Sequence, residues 1–184
     1  MVGQVIRFAG ATTMPWLGGG GVTHELARHP AAGDFVWRLS VAEVQQDGPF
    51  SRLDGVDRVI VLCSSGRMVL HAPDAQPLQR FSPYSFDGGI DVSCTVPDGP
   101  TRDFNVMTQR GVYAADVATI VGDSRAVDVP TGAQVFVFCM DGAVTGGAEL
   151  GTFDLLPLTE PTTVDATNGA AALVTLTALP SQVG

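Results

Sequence analysis

The sequence predicts an all-β protein made of two packed β-barrel or jelly-roll units, with very little helix. Three observations lead to this prediction: apolar runs that alternate with a period of two, turn residues between these runs, and a strand pattern that occurs twice. The 22 Gly and 12 Pro residues leave little room for long helices.

The clearest strand signal is Phe35–Glu43 (FVWRLSVAE), where Phe35, Trp37, Leu39 and Val41 share one face. Turn formers such as Asp-Gly and Asn-Gly separate this segment from later ones. The stretch Ala114–Val121 is compatible with either a short helix or a strand. Further β-branched runs lie at Arg58–Leu62, Gly66–His71, Gln134–Phe138 and Ala172–Leu176.

An internal repeat divides the chain. Val59–Gly66 (VIVLCSSG) and Val135–Gly142 (VFVFCMDG) both end an apolar run in Cys, two further residues and Gly. Leu78–Phe81 (LQRF) and Leu150–Phe153 (LGTF) follow at comparable distances. The repeat predicts one unit over about residues 1–111 and a second over 112–184, joined without a Ser/Gly linker.

The charge balance excludes some partners. All ten basic residues are Arg, and nineteen acidic residues give a formal net charge of −9. Such a surface repels phosphate backbones and anionic lipids, so we expect no nucleic-acid and no membrane partner. A local Arg cluster can still bind a small anion.

Cysteine usage and the N-terminus indicate the compartment. Cys63, Cys94 and Cys139 are odd in number and lie among apolar residues, as expected for buried reduced thiols. Arg7 interrupts the start of the chain, and no signal-peptide pattern follows. We therefore expect a cytoplasmic protein. The sequence is also compatible with a homo-oligomer.

Three segments carry a resemblance to a known family. Pro15–Leu26 (PWLGGGGVTHEL), Trp37–Arg58 (WRLSVAEVQQDGPFSRLDGVDR) and Asp98–Arg110 (DGPTRDFNVMTQR) resemble the signature blocks of the HutD/Ves family. The resemblance covers nearly the whole chain and implies a double-cupin fold, so the two units form one bicupin. This chain has Leu17-Gly18 where the family usually has Lys-Asn, and His24 where Arg is common.

The resemblance also implies a role. Members of the family are associated with histidine utilisation as small-molecule-responsive regulators, and formylated or carboxylated intermediates of that pathway are the expected ligands. This implication comes from the family alone, because a fold does not fix a function.

Metal and nucleophile motifs are missing from the sequence. Metal cupins use two His one residue apart, a carboxylate and a later His, whereas His24, His29 and His71 include no such pair. A site built from His24, Glu25 and His71 is the alternative. No G-x-S-x-G or P-loop motif occurs, and Gly18–Gly21 is interpreted as a close backbone crossing. We expect no metal, no cofactor and no catalytic residue.

Polar residues on otherwise apolar strands give a candidate binding site. Arg38 and Ser40 project from one face of their strand, and Asp103, Asn105 and Met107 share a face of DFNVM. A guanidinium binds a carboxylate through two hydrogen bonds, and an Asn amide both donates and accepts. These residues predict a pocket for a small carboxylate in the first unit.

The same candidate site includes two further residues. Glu43 and Trp16 complete the candidate ligand-binding set. In the competing interpretation the Arg38 face is solvated, and Asp103 or Glu43 only neutralises it. Arg58, next to Asp57, is expected to form a structural ion pair.

The leading hypothesis is a metal-free cupin that binds a small carboxylate and has a regulatory or sensory role, not an enzyme. One alternative is a cupin enzyme, either metal-dependent or an acid/base isomerase that uses Glu43 or His24. Another is an interaction module whose exposed β-edges pair with a second protein.

Overall fold

The structure of the protein is a computed structural model that describes residues 3–180. In this range it contains eighteen β-strands and one 3-10 helix, Phe8–Gly10, so the all-β prediction is confirmed. No helix of residues 3–180 is apolar and long enough to cross a membrane.

The chain divides into two compact units. The first unit runs from Thr12 to Arg110. The second contains the residues from Gly111 onward and also the segment ahead of Thr12, which the sequence had placed in the first half. This segment is held by Ile6, whose backbone pairs with Leu155 through two hydrogen bonds of 2.8 and 3.0 Å.

The first unit has ten strands in two antiparallel sheets. Its six-stranded sheet has the order β1-β2-β3-β10-β5-β8, and its four-stranded sheet has the order β4-β9-β6-β7. Apolar residues such as Val44, Ile60, Leu62, Met68 and Leu70 form its core. The strands are β1 (Thr12–Pro15), β2 (Gly21–His29), β3 (Trp37–Val44), β4 (Gly48–Pro49), β5 (Val56–Leu62), β6 (Val69–Ala72), β7 (Asp74–Pro77), β8 (Pro83–Asp87), β9 (Ser93–Thr95) and β10 (Thr101–Gln109).

The second unit has eight strands. They are β11 (Tyr113–Val121), β12 (Ser124–Val127), β13 (Ala133–Gly142), β14 (Val144–Thr145), β15 (Glu149–Leu150), β16 (Leu155–Leu158), β17 (Thr162–Asp165) and β18 (Gly169–Ala178). They form one sheet with the order β11-β18-β13-β16 and another with the order β12-β17-β14-β15. The ambiguous stretch Ala114–Val121 is therefore a strand, because it pairs along its whole length with β18.

The same strand order occurs in both units. The run β3-β10-β5-β8 corresponds to β11-β18-β13-β16, and β4-β9-β6-β7 corresponds to β12-β17-β14-β15. Strands β5 and β13, which carry the sequence repeat, hold the same place in their sheets, as the repeat predicted. The first unit differs by the hairpin of β1 and β2, which covers the outer edge of β3.

Two phenylalanines show which residues of the two units correspond to each other. Phe81 and Phe153 both have positive φ, 61° and 71°, which is uncommon for a residue other than Gly. Each donates its N–H to a strand carbonyl, Phe81 to Leu62 and Phe153 to Cys139. Leu62 is thus the counterpart of Cys139, whereas the sequence repeat had matched Cys63 with Cys139. A shift of one residue exchanges the two faces of a strand.

Candidate functional site

The first unit contains a polar cavity of about 170 Å³. It lies over the aligned faces of three neighbouring strands: Asn105 of β10 is opposite Ser40 of β3, and Met107 lies between Arg38 and Arg58. The cavity is lined by Trp16, Thr23, Arg38, Ser40, Ala42, Phe50, Ser51, Leu53, Arg58, Asp103, Asn105 and Met107. The structure thus brings together the predicted residues Arg38, Ser40, Asp103, Asn105 and Trp16.

A buried hydrogen-bond chain crosses the strands of the cavity. Arg58 Nη2 donates to Asn105 Oδ1 at 2.9 Å, and Asn105 Nδ2 donates to Asp103 Oδ1. All three residues are almost completely buried. Asp103 Oδ2 and Arg58 Nε are buried without a hydrogen-bond partner among the described residues. Buried polar atoms normally have partners, so this polar set points to a binding site rather than to packing.

Burial shifts the ionisation of this chain. Desolvation raises the pKa of Asp103 to about 7, although the Arg58 charge and the Asn105 hydrogen bond act in the opposite direction. Desolvation also lowers the pKa of Arg58 to about 10, against the attraction of Asp103. Arg58 therefore remains charged near neutral pH, while Asp103 is close to its titration midpoint.

Arg38 supplies a second guanidinium. Within residues 3–180 its one hydrogen bond is from Nη2 to Met107 Sδ at 3.3 Å, and its buried Nε has no acceptor. Its Cζ lies 4.9 Å from the centre of the Phe35 ring, a cation–π contact. Burial lowers the pKa of Arg38 below its ordinary value, although the charge of Glu25 acts in the opposite direction. A sulfur atom and an aromatic face leave the guanidinium able to bind an anion.

Aromatic rings flank the two arginines. The Arg58 Cζ atom lies 4.9 Å from the Phe86 ring centre and 5.2 Å from that of Phe50. Trp16 is held by a 2.9 Å hydrogen bond from its Nε1 to Thr23 Oγ1 and meets Phe50 edge to face at 6.1 Å. The rings limit access of water to the guanidinium groups, which strengthens their electrostatic interactions.

A larger outer cavity of about 470 Å³ adjoins the polar one. The two share Trp16, Thr23, Arg38, Phe50 and Ser51 as lining residues. The outer cavity is otherwise lined by Met14, Pro15, Leu17, Gly18, Gly19, Gly20, Gln46, Asp47, Gly48 and Pro49.

The glycine run forms the turn between β1 and β2. Gly19 and Gly20 have φ values of 70° and 81°, which explains glycine at both positions. At Gly21 a Cβ atom would lie 2.7 Å from the Glu43 carbonyl oxygen and 2.8 Å from the Trp16 ring. The predicted close backbone crossing therefore occurs at Gly21, and it sets the position of Trp16.

Glu43 does not line the polar cavity. In β3 it has the opposite parity to Arg38 and Ser40, so its side chain projects from the other face of the sheet. There Glu43 Oε1 pairs with Arg102 Nη2 at 2.8 Å and with His24 Nε2 at 3.2 Å. The prediction that placed it with Arg38 counted it as polar without applying the strand period.

Arg58 was misassigned from the sequence. It was expected to pair with Asp57, but Asp57 pairs with Arg110 at 2.7 Å, and Arg58 is buried in the cavity. The alternation of β5 contained the signal, because Arg58, Ile60 and Leu62 share one face and Asp57 lies on the other.

The histidines are not gathered at one place. His24 Nδ1 lies 3.0 Å from Thr13 Oγ1, and its Nε2 faces Glu43. His71 lies on β6, in the other sheet of the unit. Within residues 3–180, no group of three or more His, Cys, Asp or Glu side chains is arranged so that it could hold a metal ion.

The cysteines are buried, as predicted. Desolvation raises the pKa of the Cys94 and Cys139 thiols to about 11. Both are therefore protonated near neutral pH and are poor nucleophiles.

The second unit has an apolar interior where the first has the cavity. The register set by Leu62 and Cys139 identifies the counterparts of the polar chain. All of these counterparts belong to the hydrophobic core of the second unit. Val135 corresponds to Arg58, Ala171 to Asp103 and Leu173 to Asn105.

The duplicated antiparallel sheets define a double cupin, and the polar cavity of the first unit is its candidate binding site. The chain belongs to the HutD family, whose sequence model matches residues 9–175.

Sequence relatives agree with this assignment. A Pseudomonas putida protein, described as an uncharacterized 21.2 kDa protein in the hutC 3′ region, is 36% identical over 126 residues, 66% of each chain. Protein Ves of Citrobacter koseri is 36% identical over 143 residues, which cover 76% of this chain and 73% of Ves. The match to the Pseudomonas putida protein thus spans slightly less than two thirds of that relative's length.

Solved structures show the same fold. HutD from Pseudomonas fluorescens SBW25, in a structure described as its formate condition, has a TM-score of 0.86 at 30% identity and covers 96% of this chain and 99% of its own. A conserved protein of unknown function from Pseudomonas aeruginosa PAO1 has a TM-score of 0.84 at 26% identity, with coverage of 96% and 99%. A pirin of Escherichia coli in complex with nickel(II), at 9% identity, has a TM-score of 0.62 over 98% of this chain and 100% of its own and shares the fold alone.

Proposed function

We propose that this protein binds a small carboxylate in the polar cavity of its first unit and acts as a metal-free, cytoplasmic regulator or sensor rather than as an enzyme. The observation that carries the proposal is the charge of the cavity. The residues that line the cavity include two guanidinium groups, Arg38 and Arg58, and one buried carboxyl group, Asp103, which acts on Arg58, so the lining itself carries at least one positive charge in excess.

The available donors favour a carboxylate over other anions of similar size. Two guanidinium groups line the cavity, and each can form paired, charge-assisted hydrogen bonds with a planar carboxylate. Ser40 adds a buried hydroxyl group, and the Asn105 amide is already fixed between Arg58 and Asp103. The pocket therefore offers donors at its floor and aromatic rings at its sides.

The relatives support the biological part of the proposal. The names HutD and hutC 3′ region are consistent with a link to histidine utilisation. The formate condition of the Pseudomonas fluorescens structure is consistent with a small carboxylate as ligand.

Calorimetric titration tests the proposal. We expect wild-type protein to bind at least one of formate, glutamate, formylglutamate and urocanate. The Arg38→Ala and Asn105→Ala variants should bind it about ten- to a hundredfold more weakly, as the loss of a hydrogen bond to a charged group costs about 1.5–3 kcal/mol. Arg67→Ala is the matched control, because Arg67 pairs with Asp98 on the surface of the same unit. Equal binding by all four proteins would place the site elsewhere.

An acid/base isomerase is the second candidate function. It is favoured by the pKa of Asp103, since a buried carboxyl group that titrates near pH 7 suits proton transfer. Glu43 and His24, the residues first considered for this role, do not line the polar cavity. Solvent-deuterium incorporation into a bound acid, followed by NMR, would favour this candidate. One equivalent of bound transition metal would instead favour a metal-dependent enzyme.

A further inference from the structure

The polar and outer cavities adjoin each other. They share five lining residues, including Arg38 from the polar floor and the rings of Trp16 and Phe50 at the boundary. A ligand whose carboxylate is bound at Arg38 and Arg58 therefore has room to extend past these rings into the outer cavity.

The charges of the two compartments differ. The polar cavity contains two guanidinium groups and one carboxyl group, a positive balance. Outside the lining, Glu25 pairs with Arg28 at 3.8 Å and acts on Arg38 more strongly than Arg28 does, so Glu25 offsets part of the Arg38 charge. Among the residues that line the outer cavity, the charged ones are Arg38, which belongs to the polar floor, and the exposed Asp47.

The remaining walls of the outer cavity are neutral. Met14, Pro15, Leu17, Pro49 and Phe50 provide apolar surface. The three glycines of the turn add backbone without side chains, and a Cβ atom at Gly18 or Gly19 would meet nothing within 4 Å. An uncharged chain can pack against these walls. A second carboxylate would lose part of its hydration there, would lie near the negative charge of Asp47 and would find no additional cation.

We propose that the ligand is a monocarboxylic acid with an uncharged tail, whose carboxylate binds Arg38 and Arg58 and whose tail lies in the outer cavity against the Leu17 turn. This inference rests on the proposed function and names the class of ligand. Leu17 is then a specificity-determining residue, because it is the fully exposed apolar side chain at the tip of the β1–β2 hairpin.

A series of acids of increasing length tests the inference in wild-type protein. From acetate through butyrate to hexanoate, calorimetric affinity should rise by about two- to fourfold per methylene group, as expected for partial burial of each group. Adipate matches hexanoate in length but has a second carboxylate, and it should bind at least about tenfold more weakly because that charge loses hydration without a partner.

A charge at the turn should change this preference. Leu17→Lys should narrow the hexanoate-to-adipate affinity ratio by about two- to fivefold, the range of an exposed ion pair. Val121→Lys introduces the same charge at an exposed apolar position of the second unit and should leave the ratio as in wild type.

The outcomes separate the two proposals. If none of these acids binds but formate, glutamate, formylglutamate or urocanate does, only this inference is wrong; if no acid of either set binds, the proposed function is wrong as well. If acetate binds but hexanoate binds no better, or adipate equals hexanoate, only this inference is wrong. Identical hexanoate-to-adipate affinity ratios for Leu17→Lys and Val121→Lys would show that Leu17 does not determine specificity.

Discussion

Among the single residues of the cavity, Asp103 is the one whose ionisation changes the charge of the cavity near neutral pH. It is fully buried, its Oδ1 accepts a hydrogen bond from Asn105, and the charge that acts on it is the guanidinium group of Arg58 on β5. Because desolvation raises the pKa of Asp103 to about 7, the charge of the candidate site changes within the neutral range.

This ionisation predicts binding that depends on pH. A bound anion raises the pKa of Asp103 further, so binding takes up a proton, and affinity should fall as pH rises through about 7, by at most about tenfold per pH unit. Calorimetry in buffers of different ionisation enthalpy measures the proton uptake directly. Asp103→Asn should bind with little dependence on pH between 6 and 8. A variant with the wild-type pH profile would show that another group titrates.

The residues of the cavity were predictable to the extent that strand alternation governs them. Arg38 and Asn105 were found because each is polar at an inward position of a strong alternating strand. Arg58 was missed because the adjacent Asp57 offered a simpler partner, although the alternation of β5 places Asp57 on the other face, where it pairs with Arg110. Glu43 was wrongly placed in the cavity because it is close to Arg38 and Ser40 in the sequence, although strand alternation puts its side chain on the opposite face of β3.

The β1–β2 hairpin is the element that completes the site. It adds two strands to the edge of β3 and brings Trp16 to the cavity. The Trp16 amide donates to the Gly21 carbonyl at 3.1 Å, which closes the turn. The hairpin therefore couples the local conformation of a glycine turn to the shape of the binding site.

A single methyl group should disturb this coupling. Gly21→Ala places a Cβ atom 2.7 Å from the Glu43 carbonyl oxygen and 2.8 Å from the Trp16 ring, so backbone and ring must both shift. We expect a loss of about 1–3 kcal/mol in the free energy of unfolding and weaker ligand binding, measured by urea denaturation and calorimetry. Gly18→Ala, in the same turn, meets nothing within 4 Å and should behave as wild type. Equal stability of the two variants would refute the steric role of Gly21.

The sequence indicated the strands of both units but not how they are arranged. The repeat predicted matching strands correctly, yet its register was wrong by one residue, because Cys recurs at positions that differ in orientation. Ala114–Val121 could not be assigned from its pattern alone, since only pairing with β18 distinguishes a strand from a short helix there.

At the scale of the whole molecule, the two units have the same strand order but different interiors. The first encloses a polar chain, and the second encloses apolar side chains at the corresponding positions. Buried ion pairs commonly contribute less stability than well-packed apolar residues. The polar interior is therefore expected to lower the stability of the first unit in return for binding.

Replacing the polar chain by its counterparts tests this expectation. The triple variant Arg58→Val, Asp103→Ala and Asn105→Leu should gain about 1–4 kcal/mol in free energy of unfolding and lose carboxylate binding. Asn105→Leu alone is the control: it removes the partner shared by Arg58 and Asp103 and should destabilise the protein. A triple variant less stable than wild type would show that the polar chain stabilises the fold.

The contrast between the two interiors also has an evolutionary consequence. Arg58, Asn105 and Asp103 are linked in series, so the loss of any one leaves a buried charge or amide without its partner. Such positions accept change only in concert and should covary among relatives. Their counterparts in the second unit, which interact through packing alone, can drift one methyl group at a time. We therefore expect two rates of divergence within one chain, with the slower, coordinated one in the unit that contains the candidate cavity.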